Sequence, residues 1–303
     1  ENEGFVFRGK FHPDELREAW CERRLMARIH RYTLQKLRSE IQPVSAADFM
    51  RYLFRRHQVD GNSPQGPEAL KKALEKLDGF EAQAAAWESD LLPSRVSDYD
   101  YLWLDVLCLS GNTGWGRFRP QSGKGDKPSS SPIKTTPVSL INRQNGLLWR
   151  NDIHINGETE ALLSNEAKKV LDCLRNRGAC FFNDIQKQTA LFKSQVEDGL
   201  SELVASCLVT SDSFNGLRAL LVPAKYKQND TGRSRNMPFT MEQAGRWSLI
   251  ENKEAEEPSK DREQKRLEQI ARILLQRYGV LFRRVTEREP YSPPWRDLVR
   301  VLR

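Results

Sequence analysis

Two stretches of the chain, LRNRGACF (Leu174 to Phe181) and LQRYGVLF (Leu275 to Phe282), share the spacing L-x-x-x-G-x-x-F, and each closes a long amphipathic helical pattern. A repeat of this kind calls for tandem units rather than one continuous core. Around the first copy, SNEAKKVLDCLRNRG opens on Ser164, a residue type that satisfies free backbone donors at a helix start. It places Ala167, Val170, Leu171 and Leu174 on one face and stops at Gly178. A second helix is expected over about Asn183 to Ala190. A third is announced by SQVE (Ser194 to Glu197), which has capping-box spacing, and Val196, Leu200, Leu203 and Val204 then face a core. LVTSDSFNGLRALLV (Leu208 to Val222) is two apolar runs around Asn215-Gly216, which predicts a hairpin. Three helices closed by a hairpin is the order of a winged helix. The second copy runs Lys260–Arg277, Arg283–Glu289 and a helix from Trp295, and reaches Arg303 before any wing. GRWSLI (Gly245 to Ile250) is a short strand between charged, proline-containing linkers.

At 303 residues the chain is long for a single core. Helical periodicity covers Leu16–Glu40, Ala46–His57, Glu68–Leu77, Ala82–Leu91 and Tyr101–Leu109, followed by a strand near Gly114 to Phe118. Arg119 to Pro137 is rich in Ser, Gly, Lys and Pro and is expected as a mobile loop, with VSLINR and GLLWRN returning to a sheet. GFVFRGKF (Gly4 to Phe11) reads as a strand without a following partner, left from a preceding domain. The expected fold class is mainly α with small β wings, in tandem winged-helix modules. The expected division is a strand over 1–15, a helical or winged-helix-like module over 16–158, a winged helix over 159–250 and a truncated one over 251–303.

The balance of 48 basic to 41 acidic residues, net +7, suggests an anionic partner without requiring one. Five cysteines form no CxxC pair, four scattered histidines lack metal-ligand spacing, and no GxxxxGK[ST] or GxSxG pattern occurs. No catalytic residue and no metal or cofactor is therefore assigned to the segment. No stretch is long and apolar enough for a membrane span and no signal pattern opens the chain, which points to a soluble cytoplasmic protein. Arg24, Arg28, Arg31 and Arg38 fall along one helix face, with Arg55 and Arg56 on the next helix. This is either a solvated face or a rail for backbone phosphates. Between Arg262 and Arg303 basic residues outnumber acidic ones eleven to five, and Arg283, Arg284, Arg296 and Arg300 are candidate phosphate contacts. The middle module is close to neutral, and Glu197, Asp198 and Glu202 are expected on the outer face of its third helix, where they would repel phosphate.

WCERRLMARIHRYTLQKLRSEIQPVSAADFMRYLFRRH, GFEAQAAAWESDLLPSRVSDYDYLWLDVLCLSG with WGRF, VEDGLSELVASCLVTSD and RYGVLFRR…PPWRDLVRVLR resemble the large helicase-related (Lhr) family, over nearly the whole chain. The resemblance implies the C-terminal extension of the long bacterial form of a superfamily 2 DNA helicase. Its motor lobes, with their ATP and Mg, lie elsewhere in the parent. It further implies a role in DNA repair, association with the nucleoid, and single-stranded DNA or an RNA–DNA hybrid as ligand. Other implied partners are the motor domains and other copies of the chain. The alternatives it carries are an oligomerisation scaffold and part of a uracil-DNA glycosylase module of the AlkZ type.

Overall fold

The computed structural model describes residues 5–11, 18–40, 42–119, 135–149, 160–222, 239–250, 260–290 and 292–302. The core of the loop expected over 119–137 and both inter-module linkers lie largely outside them. The chain forms two compact units, Glu1–Tyr52 and Leu53–Arg303, so the stretch 16–158 divides inside a helix.

The first unit contains β1 (Val6–Gly9), β2 (Ala19–Glu22), α1 (Arg23–Glu40) and most of α2 (Ala46–His57). Val6 pairs with Glu22 and Gly9 with Ala19 in an antiparallel ladder. GFVFRGKF therefore has a partner strand, in residues that periodicity assigns to the helix from Leu16. Arg8 reinforces this pair through Glu18 at 2.6 Å and the Trp20 ring at 5.8 Å. The start of α2 is set by Ser45, whose hydroxyl accepts the Asp48 N–H at 3.1 Å. None of the residues of α1 is buried.

The second unit repeats one pattern. α3 (Pro67–Lys76), β3 (Glu81–Gln83), a π-helical turn at Trp87–Leu91, α4 (Tyr101–Leu109), β4 (Thr113–Gly116) and β5 (Pro137–Asn142) form a module whose sheet order is β3-β5-β4. The short α5 (Gly146–Trp149) follows it. Next come α6 (Asn165–Arg177), β6 (Cys180–Phe181), α7 (Phe182–Thr189), α8 (Lys193–Ala205), β7 (Val209–Ser211), α9 (Asn215–Leu221) and β8 (Arg246–Leu249), with sheet order β6-β8-β7. Both are winged-helix arrangements: a first strand after the first helix, flanked by the last strand rather than by its sequence neighbour. α10 (Lys260–Tyr278), α11 (Arg283–Thr286) and α12 (Trp295–Val301) begin a third copy. After each first helix the chain turns at a glycine in the left-handed region, Gly79, Gly178 and Gly279, with φ of 72°, 77° and 71°. The sequence repeat is this turn, and the structure adds a third instance at Gly79.

Four expectations are corrected. Asn215-Gly216 is not a hairpin turn but the start of α9, and β7 pairs instead with GRWSLI, Val209 opposite Leu249. Gly216 is there for close approach: an added Cβ would lie 2.3 Å from Ser211 Oγ and 3.0 Å from the Trp247 ring. Ala82–Leu91 is a strand and a π turn rather than a helix, because Trp87 is buried with its indole N–H donating to the Val138 carbonyl of β5 at 3.0 Å. The first four residues of GLLWRN form α5 rather than a strand, and its last two lie outside the described residues. Of the SQVE capping box only a neighbouring half exists, Gln195 accepting the Phe192 N–H at 3.0 Å. The Ser164 cap is as expected, its hydroxyl accepting the Ala167 N–H at 3.1 Å.

The first two modules of this unit share one core. Trp115 of β4 stands edge-on to Trp247 of β8 and to Phe214, with ring centres 6.1 and 6.2 Å apart, and its indole donates to the Ser213 carbonyl at 2.9 Å. A second cluster joins Phe118, Ile141, Leu148 and Trp149 to Ile250 and to Ile270, Leu274 and Leu298 of the third copy. These apolar contacts join the three copies.

Candidate nucleic-acid interface

In winged helices that read DNA, the third helix enters a groove of the duplex. The three third helices here differ in what they offer. YLWLDVLCL (α4) carries no cation; Leu102, Val106 and Leu109 are more than half exposed, and Asp105 is taken by Arg218. On α8, Lys193 is paired with Glu242 at 2.9 Å. The carboxylates expected on its outer face are only partly there. Glu197 is buried and Glu202 turns inward to accept the Ser164 N–H and hydroxyl at 2.9 and 2.5 Å, which leaves Asp198 exposed. On α12, by contrast, Arg296 and Arg300 are both exposed, and Arg283 and Arg284 are exposed on α11.

Arg283 is held by Glu287 at 2.8 Å and Arg300 lies 3.7 Å from Asp297, both surface pairs of adjacent turns that compete weakly with a phosphate. Arg284 and Arg296 form no ion pair among the described residues. Arg283 and Arg296 come together as two edges of a cleft of about 510 Å³ between α11 and α12, walled by Pro293, Pro294 and Trp295. Phe282, at the extended residue before α11, is also exposed.

The other predicted residues divide. Arg24, Arg28, Arg31 and Arg38 are all exposed along α1, and Arg55 is exposed on α2. Arg56 is committed to the protein. Its guanidinium donates to the Gln276 carbonyl at 3.1 and 2.5 Å and to that of Leu275 at 3.2 Å, closing the C-terminus of α10. Lys76 does the same for α2, donating to the Arg56 carbonyl at 2.6 Å, and Arg95 donates to the Leu91 carbonyl at 2.7 Å. Sequence reasoning has no signal for this role, because a capping cation looks like any other until its helix end is placed.

His57 sits among these cations. Burial first, then Arg95, Lys76 and Arg56, lower its pKa from 6.5 to about 4, against the carbonyl of Arg277, which favours the charged form. A histidine with a depressed folded pKa adds stability above its unfolded pKa and loses it as pH falls toward the folded one. Unfolding by urea is therefore expected to show stability flat above about pH 6.5 and falling between there and pH 4, by about 1–2 kcal/mol after screening at this half-open site. In His57→Gln that portion of the slope should vanish.

Residues 44–136 match a winged-helix domain of the large helicase-related protein, the third of its series, and residues 260–303 match the fourth. The segment between them has the same strand order, β6-β8-β7 against β3-β5-β4. Two curated relatives align along most of the chain. "Lhr helicase/ probable uracil glycosylase" of Mycolicibacterium smegmatis is 26% identical over 99% of this chain and 20% of its own length. "Lhr helicase/uracil glycosylase" of Escherichia coli K12 is 26% identical over 88% of this chain and 18% of its own. Fold and matches together define a tandem winged-helix region. The chain is similar to a C-terminal region of the large helicase-related proteins and spans about a fifth of the length of the curated relatives it matches. No helix among the described residues is long and apolar enough to cross a membrane.

Proposed function

We propose that this region is an auxiliary nucleic-acid-binding part of an Lhr-type helicase acting in DNA repair, which grips the backbone of single-stranded DNA or an RNA–DNA hybrid. The observation that carries the reading is the contrast between third helices: α12, with α11 beside it, turns four arginines to solvent while α4 turns out leucine and valine. Arginine forks suit phosphate oxygens, and several of them give affinity that is independent of sequence and steeply dependent on salt. The exposed arginines of α1 support a second face of the same chemistry. ATP and Mg belong with the motor lobes of the parent, and no part of glycosyl cleavage is assigned to the described residues. Leu102, Val106 and Leu109 favour self-association as a second reading, which light scattering on the same samples reads out.

Fluorescence anisotropy with a labelled single strand over a salt series tests the main reading. The log–log slope should be steep. Changing Arg283, Arg284, Arg296 and Arg300 to glutamine should lower affinity at least tenfold and flatten the slope by about 0.7 for each phosphate left without its arginine. An unchanged slope would reject the α11–α12 surface as the phosphate-binding face.

A further inference from the structure

The cleft between α11 and α12 has a shape that phosphate binding alone does not use. Its volume of about 510 Å³ falls in the range of small-molecule seats, and Pro293, Pro294 and Trp295 line it beside Arg283 and Arg296, the half-buried Trp295 also packing against the apolar cluster around Ile270 and Leu298. The polar groups inside are already satisfied by the protein. Thr286 donates to the Arg283 carbonyl at 2.9 Å and Ser292 to that of Pro293 at 3.1 Å. The two carboxylates are also occupied: Glu289 by Arg277 at 2.5 Å and by the Tyr278 hydroxyl, and Glu287 by Arg283. What remains for a ligand is the part of the Trp295 indole that is not packed on the core, with two proline rings, beside the Arg296 guanidinium, which has no ion pair among the described residues. Flat apolar surface beside a cation is the combination that holds one nucleotide unit, its base on the ring and its phosphate on the fork.

We propose that this cleft seats one unpaired base of a single strand, Trp295 providing the apolar face and Arg296 the clasp for the adjoining phosphate. The proposal rests on the reading of the α11–α12 surface as a backbone-binding face and adds to it a base seat that duplex DNA cannot use, since its bases are stacked inside. The middle module offers an internal contrast. Its Phe181 is exposed at the position equivalent to Phe282, but Asn183 and Asp184 follow where Arg284 and Val285 stand in the third copy.

The test compares two probes of equal charge on the whole 303-residue chain: a labelled thymidine oligonucleotide and a chain of the same length made of abasic tetrahydrofuran phosphates. Wild-type protein should bind the abasic chain roughly tenfold more weakly, with the same salt slope. Arg296→Gln should weaken both probes equally and flatten both slopes by the share of about one phosphate. Trp295→Leu should erase the difference between them, and because the first comparison uses unaltered protein, a folding defect in that variant leaves the result standing. Equal affinity for the two probes with a steep slope would overturn the base seat while leaving the phosphate-binding face intact. Salt-insensitive binding to both would overturn the two together.

Discussion

Replacing Arg218 by methionine is expected to cost the unit Leu53–Arg303 about 3–5 kcal/mol in urea unfolding, the range for removing one partner of a buried ionic network. Arg218 sits on α9 with its side chain 4% exposed, and donates to Glu88 at 2.6 and 2.9 Å, to Asp105 at 2.5 Å and to the Tyr101 carbonyl at 3.1 Å. The rings of Tyr101, Phe214 and Phe239 lie 5.2–5.3 Å from its guanidinium carbon. Methionine fills much of the same volume, so the loss comes chiefly from two carboxylates left without their cation at 21% and 15% exposure. Tyr99 donates to Glu88 at 2.6 Å, and burial together with that carboxylate pushes its phenol pKa well above the ordinary range, so it stays a donor. It cannot replace the missing positive charge. Adding Glu88→Gln and Asp105→Asn to the methionine variant should restore most of the stability, because a network removed whole leaves no uncompensated charge. Equal stability of wild type and Arg218→Met would show that the network is neutral and that the apolar core alone joins the two modules.

That network also marks where sequence reading stops. What is legible is local. A glycine closing an amphipathic helix needs only its own φ, so Gly178 and Gly279 announce two modules without tertiary knowledge, and Ser164 announces its helix in the same way. Gly79 belongs to the same series but escapes the pattern, because Glu75 and Ala82 stand where the L-x-x-x-G-x-x-F spacing has leucine and phenylalanine. Asn215-Gly216 misleads for the opposite reason. Its strong local turn preference is overridden by Trp247 and Ser211 packed against the glycine, and by Asp105 accepting the Asn215 N–H at 3.0 Å from a residue far away in sequence. The arginines behave alike. Periodicity places Arg296 and Arg300 outward correctly, since an exposed face is a property of one helix. It cannot tell them from Arg56, whose role depends on the end of α10, more than two hundred residues along the chain. Nor can it separate Glu202, turned in to Ser164, from Asp198, turned out.

Arg277→Met is the second large effect, expected at about 3–5 kcal/mol and located at the junction that carries the proposed interface. Arg277 and Glu289 are 2% and 3% exposed and pair at 2.5 Å, while the same guanidinium donates to the Asp78 carbonyl and lies 5.5 Å from the Phe80 ring. One side chain thus ties α10 and the end of α11 to the turn after α3. Asp78 answers from the other side, accepting the Asn142 N–H at 3.0 Å, the Asn145 amide and the Trp149 indole at 2.6 and 3.1 Å. Burial pushes its carboxyl pKa up against these bonds. Without Arg277, Glu289 keeps, among the described residues, the Tyr278 hydroxyl alone, and a buried carboxylate with one neutral donor is strongly unfavourable. Glu289→Gln added to Arg277→Met should therefore recover part of the loss, whereas Glu289→Gln alone should destabilise by leaving the arginine unpaired. Because the cleft is bordered by Glu289 and begins six residues after Arg277, the single variant should also weaken single-strand binding at salt concentrations where the protein is still folded. If binding is unchanged while stability falls by the expected amount, then the α11–α12 surface keeps its shape without this anchor, and the apolar cluster around Ile270, Leu274 and Leu298 is sufficient to hold it.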